Sequence, residues 1–280
     1  SIRILLIALL FIISDLNAQV GLKKLGQSTM NFQLVSTSAR ASGMGDAFFA
    51  VGNGAESVFY NPAGLALGEY EFDINLGYTQ WIADINYLTA TAAYNMGNIG
   101  AIALSVLTVD YGTINGTRLV DPALMGSHPS GYIDTGELSN IGAYSVGFSY
   151  AKAISTQFSI GGSVRLVGQN LGTSTYISGE VTNNEISKLI FDAGVKYLTD
   201  FKDFRFGMAV RNFGTSVKRE VVEEQLPLTF TIGTAINLYK FMDEEDENQA
   251  FTLAIDFLQS NSFTERFNMG LEYTYLKMFI

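Results

Sequence analysis

The sequence has no cysteine, one histidine, one tryptophan and four prolines in 280 residues. Without cysteine no disulfide can form, so packing and hydrogen bonds must hold the fold. With a single histidine as well, His₃, Cys₄ and mixed zinc sites are excluded. A Ser-His-Asp arrangement would have to use His128, which lies beside Pro129 with no nucleophile-elbow sequence anywhere in the chain. His128 reads as a solvated loop residue, and no catalytic residue, cofactor or metal is expected. Charge is scarce too, at 16% of residues against about 25% in soluble domains. The net charge of −10 offers no basic face to follow phosphates, which excludes nucleic acid as a partner. Long hydrophobic runs are also missing. The most apolar internal stretch, Ala101 to Val109, has half the roughly twenty residues a membrane helix needs. Gly43-Met44-Gly45 lacks the third glycine and the strand–helix context of a dinucleotide site.

What the chain does hold is 48% hydrophobic residues, 28 glycines, 20 phenylalanines and 14 tyrosines. That mixture suits a glycine- and aromatic-rich β protein. At the start, Arg3, the apolar run Ile4 to Ile13 and a polar neck ending at Ala18 match a secretory signal peptide over residues 1–18. The chain opens at Ser1 without methionine, so an incomplete N-terminus is expected.

From Glu71 onward the pattern alternates strictly. Phe204 to Arg211, Phe251 to Phe257 and Phe267 to Tyr273 each set large apolar side chains against small or charged ones. Strands are expected at 71–82, 85–95, 98–109, 141–152, 157–170, 188–199, 203–213, 227–239, 250–259 and 265–277. Such strands exceed the five or six residues usual in soluble sheets and match the nine to eleven of membrane strands. Large apolar residues facing lipid, with glycine and polar residues facing the lumen, is the outer-membrane pattern. A soluble sandwich with one wet face is the rival.

Connections alternate as well. Long ones are expected at Asp110–Asn140, Leu171–Ser187 and Gly214–Leu226, with short turns between them. Outer-membrane barrels keep short periplasmic turns and long outer loops. Strand one therefore runs outward and leaves the preceding segment, 19–70, on the periplasmic side, where it could fold into the barrel as a plug. Asn115-Gly116-Thr117 spells a glycosylation sequon but is expected as a tight turn. After Tyr275 the pattern stops as another strand is starting, so the barrel over 71–280 is expected to lack closing strands. A complete ten-stranded barrel is the alternative.

Within the plug, Ala41-Ser42-Gly43-Met44-Gly45 reads as a small-residue turn and Ala47 to Val51 as a short apolar run. A second turn follows at Gly52-Asn53-Gly54, and Asn61-Pro62-Ala63-Gly64-Leu65 as the start of a short helix with an asparagine cap. Inward charges on the strands would be Arg165, Asp192, Lys196, Arg205, Arg211, Asp256 and Glu272. Their mixed signs favour mutual salt bridges in a closed interior over an ion-selective pore. Arg40 and Asn61 on the plug are candidate partners for the inward acids. Asp243 to Glu247 reads as a solvated turn, with a docking patch for a basic partner as the sharper alternative.

The run from Ala39 to Ala66 resembles the N-terminal signature of the PorV/PorQ family, outer-membrane proteins related to FadL-type long-chain fatty-acid transporters. Ala39, Arg40, Ala41, Gly43, Met44, Gly45 and Ala47 fit its first half, and Asn61, Pro62, Ala63, Gly64 and Leu65 its second. Asp46 stands where the family usually has glycine, and Gly52-Asn53-Gly54 replaces a more acidic turn. The resemblance implies an all-β fold: a FadL-like transmembrane antiparallel β-barrel of fourteen strands with an N-terminal plug, about four of them missing here. It implies location in the bacterial outer membrane, in contact with its lipid. Arg40, Gly43, Met44, Gly45, Asn61, Pro62 and Gly64 would form the structural or gating motif of the plug. Function is then expected in type IX protein secretion, as a component or substrate shuttle whose partners are secreted proteins or other components of that machinery. The alternative is a FadL-like passive channel for a hydrophobic ligand; an enzyme is not expected.

Overall fold

The computed structural model describes residues 28–176, 178–219, 222–243, 248–276 and 278–279; the expected signal peptide and most of the acidic run 243–247 lie outside the described residues. Alternating sequence produces the first strands, β1 (Phe72–Gln80), β2 (Asn86–Asn95) and β3 (Ala101–Asp110). A small hairpin, β4 (Asn115–Leu119) and β5 (Tyr132–Glu137), precedes β6 (Gly142–Ala153), β7 (Phe158–Thr175), β8 (Val181–Leu198) and β9 (Arg205–Phe213). A second hairpin, β10 (Val217–Arg219) and β11 (Val222–Glu224), leads to β12 (Thr229–Asn237), β13 (Gln249–Ser260), β14 (Arg266–Tyr275) and β15 (Met278–Phe279).

The eleven wall strands pair in the order β1-β2-β3-β6-β7-β8-β9-β12-β13-β14-β15, each antiparallel to its neighbours, with both small hairpins set outside the sheet. This is an all-β, barrel-type wall around an N-terminal plug. Ten such strands laid flat would be roughly 45 Å across. Yet Arg40 bonds Glu272 on β14 and, fifteen residues later, Ala55 bonds Asp73 on β1. The sheet therefore curls around residues 28–71. Among the described residues β1 pairs only with β2, so no ladder joins the two ends of the sheet.

The two faces divide by side-chain size. Phe72 (61% exposed), Leu76 (76%), Leu104 (63%) and Phe267 (72%) point away from the plug, with nothing among the described residues packed over them. A sandwich would bury such a face against a second layer; here it is the outer surface. Inward positions carry serine, threonine, alanine and glycine, as on β6, where Ala143, Ser145, Ser149 and Ala151 are buried. Among the described residues no helix is long and apolar enough to cross a membrane.

The core lies inside the wall in three tiers. Met30 and Phe32 pack with Val109, Ala143, Val167 and Leu226 near the rim that carries the long connections. Phe48, Phe49, Ala50 and Val51 pack with Ala209, Ala235 and Ala254 at mid-depth. Ala55, Val58 and Leu65 meet Ala93, Ala103 and Ala151 near the short-turn rim. Ser28 bridges Gln225 in the long connection before β12, whereas Leu67 ends at the start of β1. The plug thus threads the lumen from one rim to the other rather than entering from one side.

All ten expected long strands are present, but two connections differ from expectation. Most of Leu171–Ser187 is ladder: β7 and β8 run on to Thr175 and Val181, because its threonines, serines and valine pair across a bulge at Asn170/Thr173. Asn115-Gly116-Thr117 is the start of β4, not a turn; it pairs with Glu137, Gly136 and Asp134 on β5, the bulge at Gly116/Thr117 absorbing the irregular register. His128 is exposed in the loop between them, as expected. Met278 and Phe279 pair with Tyr275 and Thr274, so the strand expected after Tyr275 begins there.

Candidate functional site

Within the plug, the Ser38 side chain accepts from Ala41 N at 3.1 Å and caps a one-turn helix, α1 (Ala39–Gly43). The segment expected as a small-residue turn is therefore mostly helix, because the serine cap satisfies its first free N–H. The turn falls at Met44 to Asp46, with Gly45 at φ +58°. A side chain at Gly45 would also come within 2.8 Å of Met269 O, so glycine is required there twice over. Gly43 faces open space; no close approach explains it. Further on, Asn61 Oδ1 accepts from Ala63 N at 3.1 Å and starts a 3₁₀ helix, Pro62–Leu67, with Pro62 at its head. Gly64 sits against Gly52 and Ser57 with no room for a β-carbon.

The wall holds this segment chiefly by its backbone. Asp256 Oδ2 accepts from Phe48 N (2.7 Å) and Phe49 N (3.0 Å). Lys196 Nζ, wholly buried, donates to Gly52 O (2.8 Å), Val51 O (3.3 Å) and Asn53 Oδ1 (2.6 Å). One acid and one base thus grip the two ends of the turn 48–52, each matched to the backbone groups that end exposes. Asp73 accepts from Ala55 N at 2.8 Å, Ser159 donates to Ala63 O at 3.0 Å and Asn268 to Asp46 O at 3.3 Å.

Side-chain pairs add specificity. Arg40 grips Glu272 through Nε (2.7 Å) and Nη2 (2.8 Å), a two-pronged ion pair, with Glu56 at 3.5 Å from Nη1. Burial opposes the charge of Arg40, but Glu272 and Glu56 more than offset it, so its pKa lies above the ordinary guanidinium value. Arg165 and Asp192 form a second two-pronged pair (2.6 and 2.9 Å), extended by Asn212 (2.7 Å) and by Gln33 of the plug. Tyr60 is the aromatic hub, edge-on to Phe48 (5.0 Å) and Phe49 (6.0 Å). Burial pushes its phenol up, so it stays protonated while accepting from Thr37 N and Ser38 N and bonding Ser36 Oγ. Where the plug leaves for β1, Tyr70 donates to Leu65 O at 2.6 Å; burial, with Asp73, pushes its phenol up to about 12.

These contacts correct two expectations about the charges. Arg165–Asp192 is the one ion pair among the inward set; Lys196, Asp256 and Glu272 hold the plug instead, because its polar groups fill the space between them. Arg205, half-buried, stands in the fields of Asp203, Arg40 and Glu272. Arg40 meets an inward acid as expected, but Asn61 does not. Its NH2 group, the part that could reach an acid, donates instead to the backbone carbonyls Phe49 O (3.2 Å) and Val195 O (3.0 Å). Among the described residues no group of three or more His, Asp or Glu is placed to hold a metal.

Sequence reasoning missed Gln33, Asp73 and Asn212, and also why the wall needs its inward glycines. A β-carbon at Gly207 would lie 2.6 Å from Phe49 O, and one at Gly161 2.6 Å from the Pro62 backbone. Gly194, Gly233 and Gly270 likewise abut Asn61, Ala50 and Met44. The signal was present as glycine at inward positions of consecutive strands.

Between the plug and the upper wall lies a cavity of about 100 Å³. Phe49, Phe59 and Tyr60 form its apolar side, and Gln33, Arg211 and Asp46 part of its polar side. No protein-family model and no curated protein matches the chain. Among solved structures it is similar to the "CymD monoaromatic hydrocarbon channel", with a TM-score of 0.43 and 11% identity over 86% of this chain and 89% of that one.

Proposed function

We propose that this chain is an exported outer-membrane barrel, its large apolar side chains in contact with lipid, through which small hydrophobic molecules pass along the seam between plug and wall. The observation that carries this reading is the cavity of about 100 Å³ lined by Phe49, Phe59 and Tyr60 on the plug side, inside a wall whose outer face is apolar. The hydrogen bonds that tie the plug backbone to the wall can exchange for water one at a time as the plug shifts. Secretion of proteins, the other function the motif resemblance suggests, draws its support from that motif alone.

A deletion strain separates the two. Failure to grow on a hydrophobic carbon source, with exported proteins still reaching the surface, is the expected phenotype. Loss of those surface proteins with growth unimpaired would move the assignment to secretion. In purified form, liposomes carrying the chain should admit toluene faster than liposomes without it.

A further inference from the structure

We propose that the seam cavity binds a compact aromatic acid, a single ring bearing a carboxylate; the proposal rests on the reading of the seam as a route for small hydrophobic molecules. Size sets the first limit. About 100 Å³ is only about two-thirds of the ~150 Å³ cavity that accepts one benzene, so a single ring is the most it can enclose. Phe49, Phe59 and Tyr60 supply the walls against which a ring would stack.

The polar side of the lining is rich in donors. Arg211 makes one hydrogen bond, Nη2 to Gln33 O at 3.2 Å, and has no carboxylate within ion-pair reach among the described residues. A guanidinium carries five N–H donors, so most of its capacity is unused. It also lies near the rings of Phe49 (5.8 Å) and Tyr60 (6.0 Å), which hold it against the apolar wall. Gln33, 4% exposed, gives its amide oxygen to Arg165, and that bond fixes the amide orientation. Among the described residues its Nε2 is left buried without a partner, a costly arrangement that an acceptor in the cavity would relieve. Arg266 completes the lining, stacked 4.0 Å over Phe263. Against these stands one carboxylate on the lining, Asp46, whose Oδ1 is likewise buried with no partner among the described residues; the charge of Arg165 is already matched by Asp192. Two guanidiniums and a free amide donor against one acid favour an anion, and the rings favour an aromatic one.

Equilibrium dialysis of the full chain in detergent against radiolabelled benzoate tests this, with benzyl alcohol and decanoate as competitors. Saturable benzoate binding is expected, weakened about tenfold or more in Arg211→Met, with both competitors displacing benzoate poorly. Benzyl alcohol competing as well as benzoate itself would overturn the proposal on the unaltered chain, whether or not the Arg211 variant assembles. So would unchanged affinity in an Arg211→Met barrel that keeps its heat-modifiable gel mobility, or an absence of saturable binding. Toluene entry into liposomes without benzoate binding removes this inference and leaves the channel reading standing; benzoate binding without toluene entry does the reverse.

Discussion

Arg165 and Asp192 are each 2% exposed at their side chains, and each satisfies the other's charge. Removing one partner leaves the other buried and unmatched, which costs about 3–5 kcal/mol, whereas replacing both with apolar residues of similar volume is close to neutral. Arg165→Met should therefore lower the urea midpoint of the barrel in liposomes markedly, and Arg165→Met with Asp192→Leu should recover most of the loss. Equal losses in the single and double variants would show that the pair's worth lies elsewhere, for instance in its link to Gln33. Strict alternation made every one of these inward charges legible in the sequence. Their partners were not, because the choice between a wall residue and a plug backbone group depends on which plug atoms stand opposite. Asp256 and Lys196 look alike as isolated inward charges in a string of letters; only the folded turn 48–52 makes one an acceptor for N–H and the other a donor to C=O.

At the scale of elements, the wall strands were readable because side-chain size alternates with a period of two, and the extensions were not. Thr173 to Thr175 and Val181 to Asn183 carry no strong size contrast, so their pairing follows from continuing a register already set lower in β7 and β8. Inward glycines were visible as lumen residues, but their purpose was not, since it lies in what presses on them. Gly207 faces the Phe49 carbonyl at a distance no side chain allows. Gly207→Val should cost about 1–3 kcal/mol by overpacking while β9 still pairs with β8 and β12. The expected readout is a folded barrel with faster entry of small solutes in a liposome-swelling assay. An intact swelling rate in such a barrel would mean that the plug tolerates displacement at mid-depth without opening a path.

For the molecule as a whole, the outward placement of large apolar residues makes a sharp distinction between solvents. Leu104 is 63% exposed on the outer face of β3, and on the outer-membrane reading proposed above a cation there would face hydrocarbon. Leu104→Arg should destabilise the barrel by about 2–4 kcal/mol in liposomes, measured by urea unfolding. A cost below that range, in liposomes that hold the folded chain, would argue that Leu104 faces water or headgroups. The all-β class and the plug were legible from composition, strand length and the Ala39–Leu67 signature together. That the plug runs from rim to rim was not, because it is decided by Ser28 and Thr29 meeting Gln225, a contact between segments nearly two hundred positions apart.

That course through the lumen has a mechanical consequence. A cork fixed at neither end can be expelled whole, but a cord tied at both ends can only bow. Residues 28–71 are fastened to Gln225 at one rim and continue covalently into β1 at the other, so any widening of the passage takes the form of a sideways flexure, largest near the middle of the cord. A solute would then slip past on one flank, and which flank yields is set by where the fewest ties bind the cord to the staves.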